Sequence, residues 1–134
     1  MSDYSNIFKI WGLRKRILLT KTSEIDLLYL KKNCFCSTHK HKKKINKFVV
    51  VKGKVIIESE YGKIILKETE IFEIRPPLKH RFFALEDSIM IELAYVEEGT
   101  IDANDIDRES QGGRIIDGKE MTLDEIKKKG FLEL

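Results

Sequence analysis

Long apolar runs are missing from this 134-residue chain. Stretches such as Ser88–Val96 fall far short of the ~20 residues that a membrane-spanning helix needs, which excludes a helical membrane protein. The two cysteines, Cys34 and Cys36, are separated by one residue, poor geometry for a disulfide along an extended strand. No apolar segment follows Met1–Ser5 as it would in a secretory signal, so free thiols and a cytoplasmic location are expected. Proline occurs twice and glycine eight times, too sparsely for a low-complexity or disordered tract. A dominant charge sign is absent as well. With 25 basic against 22 acidic residues the net charge is +3, too even to mark a nucleic-acid binder.

What remains is globular: 42% hydrophobic and 35% charged residues in the length of one domain, 1–134. From Phe8 to Glu97, short runs of Ile, Val, Leu, Phe and Tyr recur with period two between polar turns. They predict strands at Arg16–Thr20, Ile25–Lys31, Thr38–His41, Lys47–Val51, Lys54–Glu58, Lys63–Lys67, Ile71–Ile74, His80–Leu85 and Ser88–Val96. Turns are expected at 51–54, 60–62 and 86–87. Many short strands at this spacing predict an all-β sandwich or barrel, with the barrel core at about 11–97. The remainder, 98–134, changes character. Asp102–Gly113 is polar and reads as a surface loop. Thr122 and Glu125 fit a capping box, Lys127–Lys129 suit the negative end of a helix dipole, and Gly130 suits the position after the cap. One short helix is therefore expected over Leu123–Lys129, with Leu123 and Ile126 facing the barrel.

The three histidines are the most informative residues. His39 and His41 are two apart, so on a strand both imidazoles share a face. His80 opens a distant apolar strand after Arg75–Lys79. Two histidines from one strand and one from another are able to assemble a metal site, and imidazole suits Zn, Fe, Ni or Mn. Cys34 and Cys36 have the opposite parity and are expected to lie elsewhere as free thiols. Glu92 interrupts the apolar strand Ile89–Tyr95, where a carboxylate must be paired, metal-bound or protonated. It reads equally as a general base, as a group holding a ligand histidine, or as a rim residue paired with a cation. Lys40, Lys42, Lys43, Lys44 and Lys47 beside one histidine pair, and Arg75, Lys79 and Arg81 beside His80, are candidate anion contacts or solvated turns. Arg81, Lys47 and Tyr95 are the candidate substrate contacts, Arg81 first because it adjoins a candidate ligand. Trp11 and Tyr95 also read as packing residues.

Around these histidines the chain resembles the cupin superfamily. His39 and His41 fill the histidine positions of its first motif and Gly53 the closing glycine. Asn33 stands at the opening glycine, and Asn46 stands where the motif carries glutamate. In the second motif His80 is the histidine, Pro77 stands at the glycine and Ala84 at the asparagine. Trp11 to Val96 is covered. Within the superfamily, Lys9–Gly12, Phe48–Gly53, His80-Arg81, Ile91–Leu93 and Asn104–Arg108 look like the cupin domain of type II mannose-6-phosphate isomerases. Arg108–Gly113 is similar to short stand-alone cupins of marine bacteria and their phages. Sugar-nucleotide 3,4-ketoisomerases are a more distant likeness, carrying glutamine where this chain has Asn46.

The resemblance implies a double-stranded β-helix barrel and a divalent metal on His39, His41 and His80, with Asn46 as a further ligand. It implies isomerase- or epimerase-type chemistry on a small anionic metabolite, a sugar phosphate or nucleotide sugar, with Glu92 and His80 as catalytic candidates. A three-histidine Fe(II) dioxygenase and a non-catalytic ligand-binding cupin are the alternatives. A homodimer, with no nucleic-acid or membrane partner, is the expected assembly.

Overall fold

The computed structural model describes residues 6–130; the Met1–Ser5 stretch read above for a secretory signal lies outside them. In chain order the strands are β1 (Asn6–Lys9), β2 (Gly12–Leu19), β3 (Ser23–Leu30), β4 (Cys34–Phe35), β5 (His39–Lys40), β6 (Ile45–Lys52) and β7 (Lys54–Ser59). They continue with β8 (Gly62–Lys67), β9 (Ile71–Ile74), β10 (His80–Ala84), β11 (Ser88–Tyr95), β12 (Asp107–Arg108), β13 (Gly113–Ile116) and β14 (Lys119–Thr122), before helix α1 (Leu123–Lys128). Two antiparallel sheets form the body. One runs β1-β2-β3-β11-β6-β9; the other runs β12-β5-β10-β4-β13-β14, with the β7–β8 hairpin attached to β10. Among the described residues no helix is long and apolar enough to cross a membrane.

Alternation explains the interior. In β3 the even positions Glu24, Asp26, Leu28 and Leu30 are buried, while the odd ones are partly or fully exposed. Leu28, Leu30, Phe48, Val50, Val55, Ile57, Leu66, Phe82 and Met90 belong to one apolar cluster, each worth about 1.5–3 kcal/mol of burial. Register then places an abrupt change. Leu28 pairs with Met90, which pairs with Val50; one step along, Asp26 pairs with Glu92, which pairs with Phe48. The inner face of this sheet thus turns from apolar to charged along its own strands, and the functional cavity opens at the charged end.

Most expected strands are present, and Ile71–Ile74 has the expected bounds. The expected strand Thr38–His41 shrinks to β5, and its sheet neighbour β4 is a separate two-residue piece; both pair with β10. β1, β4 and the three strands after residue 100 were not expected. Two-residue strands are too short to show a period. The β13–β14 hairpin carried a stronger signal, Asp117-Gly118 between two apolar or mixed runs, and both residues have the positive φ that such a turn needs (53° and 78°). The helix forms as read: Thr122 and Glu125 make a reciprocal capping box, Ile126 is fully buried, and Gly130 follows the cap at φ 74°.

Two motif positions, one substituted and one kept, have physical explanations. Asn33 adopts φ 65°, a left-handed conformation that asparagine tolerates better than most residues, so it serves in place of glycine. At Gly53, φ is 96° and an added Cβ would fall 2.2 Å from Ser88 Oγ, so glycine is required between β6 and β7.

Candidate functional site

The interrupted β4–β5 edge carries His39, the residue after β5 is His41, and β10 begins with His80, directly across from His39. The three rings cluster with centroids 4.6–5.4 Å apart, and one nitrogen from each lies within 4.8 Å of the others. Each Nδ1 meets a backbone carbonyl: His39 that of Ser37 at 2.8 Å, His41 that of Asp105 at 2.6 Å, and His80 that of Leu78 at 2.9 Å. A carbonyl accepts only, so each Nδ1 carries the proton and each Nε2 presents a lone pair. The Nε2 atoms of His41 and His80 are buried with no hydrogen-bond partner, an expensive state for a protein that gave them no ligand.

Protonation is also opposed. Burial, followed by repulsion from His80 and His41, lowers the pKa of His39 to about 3. Burial lowers that of His80 to about 4 despite its bond to Leu78, and that of His41 falls for the same reason. All three are neutral at pH 7, the form that binds metal. The donor set fits a divalent transition ion with open coordination positions.

The neighbouring wall comes from the six-stranded sheet. Arg16 on β2 donates to Asp26 at 2.5 Å and reaches Glu24 at 3.2 Å; Lys44 reaches Glu24 from the other side at 3.2 Å. Glu24, Asp26 and Lys44 are all buried. Glu92 lies across from Asp26 and receives one hydrogen bond, 2.7 Å from Asn46 Nδ2. Burial and the Asp26 and Glu24 charges raise its pKa to about 7. Asn46 Oδ1 is buried without a partner. The histidines, Asn46, Glu92 and, from the charged wall, Glu24, Asp26 and Lys44 line one cavity of about 520 Å³.

The expected residues therefore separate. His39, His41, His80, Asn46 and Glu92 come together, whereas Arg81, Lys47 and Tyr95 do not line the cavity. Arg81 sits between inward-facing His80 and Phe82, so alternation turns it outward. It bonds Glu58 and both carboxylate oxygens of Glu120, and it stacks on Phe35. Being next to a ligand in sequence put it on the opposite face. Lys47 likewise points away from Asn46 and Phe48, toward Glu73 and the Tyr95 ring, while Tyr95 Oη donates to Glu73. Lys40, Lys42 and Lys43 border a separate cleft. Cys36 corrects the parity argument. Because β4 and β5 are separate pieces, it lines the cavity with the histidines, while burial raises its pKa to about 12 and keeps it a thiol.

Sequence reasoning missed Glu24, Asp26 and Arg14, and missed that Lys44 is buried. The signal was available: Glu24 and Asp26 are in phase with Leu28 and Leu30. It also missed the wall built by 103–112, a segment read as surface loop, whose β12 pairs with β5 and brings Arg108 across from His39.

No family model matches the sequence, and no curated protein is similar to it. Solved structures are similar in fold. KdgF from Halomonas sp. superposes with TM-score 0.60 at 24% identity, covering 64% of this chain and 79% of that one. Streptomyces PAC13 with uridine gives TM-score 0.68 at 8% identity, over 82% of this chain and 88% of that one. A conserved Klebsiella pneumoniae protein with a double-stranded β-helix domain gives 0.60 at 15% identity, over 71% and 81%. The fold is a double-stranded β-helix. In this fold the histidines stand where the motif resemblance put them, with His39 and His80 on paired strands.

Proposed function

We propose that this cupin is a metal-dependent proton-transfer enzyme of the isomerase or epimerase type, acting on a small, anionic, sugar-like metabolite. The observation that carries the reading is the pairing of two unlike groups in one cavity. Three neutral imidazoles converge, and beside them lies a carboxyl group with no cation partner. Glu24 and Asp26 are neutralised by Arg16 and Lys44; Glu92 has only the Asn46 amide. A carboxyl poised near neutrality both accepts and returns a proton at pH 7, as moving a hydrogen between adjacent carbons requires.

His39, His41 and His80 would hold the ion. When bound, a divalent ion polarises substrate oxygens and so acidifies the C–H beside them. Glu92 takes that proton on one oxygen, and Asn46, donating to the other, keeps the carboxylate oriented. The uridine on PAC13, a ribose-bearing ligand, supports a polyhydroxylated substrate on this fold.

The test is hydrogen exchange in D₂O with the metal-loaded protein and a panel of ketose and aldose phosphates. Deuterium is expected at a carbon next to the carbonyl, and Glu92→Gln is expected to lose it while retaining metal. Full metal occupancy without exchange on any sugar would overturn the enzyme reading in favour of a ligand-binding cupin.

A further inference from the structure

Four cations, Lys9, Arg14, Lys44 and Arg108, line the cavity against three carboxylates, a surplus of one positive charge before any metal is counted, and Arg16 behind the lining pairs with two of those carboxylates. Their distribution is uneven. Arg16 and Lys44 are satisfied by Asp26 and Glu24. Among the described residues, Lys9 and Arg108 have no carboxylate within 4.0 Å. Arg14 reaches only Asp26, at 3.9 Å, and its Nε is buried without a hydrogen-bond partner. Elsewhere Arg75, Lys79 and Arg81 are each paired with glutamate, whereas Lys9 and Arg108 face the cavity without such a partner.

These three cations come from separate elements: Lys9 ends β1, Arg14 lies in β2, and Arg108 lies in β12. All three line the same cavity, where desolvation and then the Arg14 and Arg108 charges hold the Lys9 ammonium below its ordinary pKa. Holding like charges together without a counter-ion is unfavourable, and an anion relieves it. Two guanidinium forks and an ammonium offer more donors than a carboxylate's two oxygens use, and three cations without a close carboxylate suit a doubly charged phosphate ester. Register puts Arg108 across from His39, so one small molecule is able to span both groups.

We infer that Lys9, Arg14 and Arg108 form a phosphate-monoester subsite, which holds the charged end of the substrate while its oxygens lie at the histidines. The inference deepens the proposed function and rests on the same cavity.

The experiment titrates inorganic phosphate into metal-free protein and follows the arginine Nε–H resonances by NMR. Saturable shifts are expected, weaker with acetate. Arg14→Gln, Arg108→Gln and the rim variant Lys9→Gln should each weaken binding about tenfold, the loss of one charge-assisted contact. Arg81→Gln, on the outer face, should leave it unchanged. Phosphate binding that survives His80→Ala supports the subsite whether or not the histidines take metal. Metal binding without saturable phosphate binding overturns the subsite alone, and acetate binding as tightly as phosphate overturns the phosphate assignment.

Discussion

On one side of the cavity three imidazoles are held by backbone carbonyls, and the Nε2 atoms of His41 and His80 are left without partners; on the other, Arg16, Glu24, Asp26 and Lys44 are held by one another. Both groups are polar and largely buried, yet they bear on stability and binding differently. The histidine side keeps its ligand-directed atoms unsatisfied, which costs folding free energy and prepares a binding site. The charged side satisfies its own groups, contributes to the fold, and fixes the potential felt by Glu92. Substitutions should therefore divide into those that remove a ligand and those that remove stability.

The largest effect is expected on the histidine side. His80→Ala removes one of three ligands, and metal affinity should fall by about a thousandfold or more, roughly 4 kcal/mol. Elemental analysis of untagged protein purified without chelator checks it, with about one equivalent expected in the wild type and none in the variant. Thermal unfolding sharpens the contrast. Metal at a hundredfold excess over Kd should stabilise the wild type by about 2.7 kcal/mol and the variant not at all.

The opposite pattern is expected across the cavity. Lys44→Met leaves Glu24 buried with Arg16 as its remaining partner. Breaking a buried pair from one side costs about 3 kcal/mol. Urea unfolding should show that loss while metal affinity changes little, since the Lys44 side chain hydrogen-bonds Glu24 and no histidine. A variant that kept its stability but lost metal would erase the distinction between the two sides.

The two groups also titrate in opposite directions. Glu92 is raised from 4.5 to about 7, so the folded state holds its proton longer than the unfolded chain, and its contribution declines as pH rises from about 4.5 to 7. His39 and His80 are lowered from 6.5 to about 3 and 4, so their contribution is present above 6.5 and lost as pH falls toward those values. Metal-free protein should be most stable near pH 6.5. Glu92→Gln removes the declining limb and should stabilise the protein at pH 8 by about 2 kcal/mol, less than the full shift implies because the cavity admits water. Stability gained together with exchange activity lost would mark Glu92 as a group kept for chemistry.

The two sides were not equally legible in the sequence. Histidine is rare here, and the spacing of His39, His41 and His80 matched a motif, so one side could be read residue by residue. Glu24 and Arg16 are ordinary residue types in strands whose charged positions read as solvent-facing; the phase of Glu24 with Leu28 and Leu30 was the one sequence signal, and register, through the Arg16–Asp26–Glu92 row, shows the charged residues turned inward. Arg81 failed for the converse reason: adjacency to His80 was informative about sequence, while alternation decided direction. The barrel was legible because its longer strands show period two. The wall at 103–112 was hidden because its only strand is two residues long.

That wall also sharpens the comparison at its finest point, because it supplies side-chain support to a histidine otherwise held by backbone. The Asp105 carboxylate accepts hydrogen bonds from the amides of Lys42, Lys43 and Lys44, at 2.7, 2.9 and 3.1 Å, while its own carbonyl receives His41 Nδ1. The side chain thus fixes the position of the carbonyl that fixes the imidazole. Those amide bonds hold the carboxyl below its usual pKa, so the clamp stays closed through neutral pH and opens only in acid. In Asp105→Ala the carbonyl persists but loses its anchor, and metal affinity should fall about tenfold, the lower end for a group that orients a ligand. Asp105→Asn retains one acceptor oxygen and should recover part of the loss. Metal titrations at pH 7 on the wild type and both variants decide it. Equal affinities would show that the backbone alone positions His41.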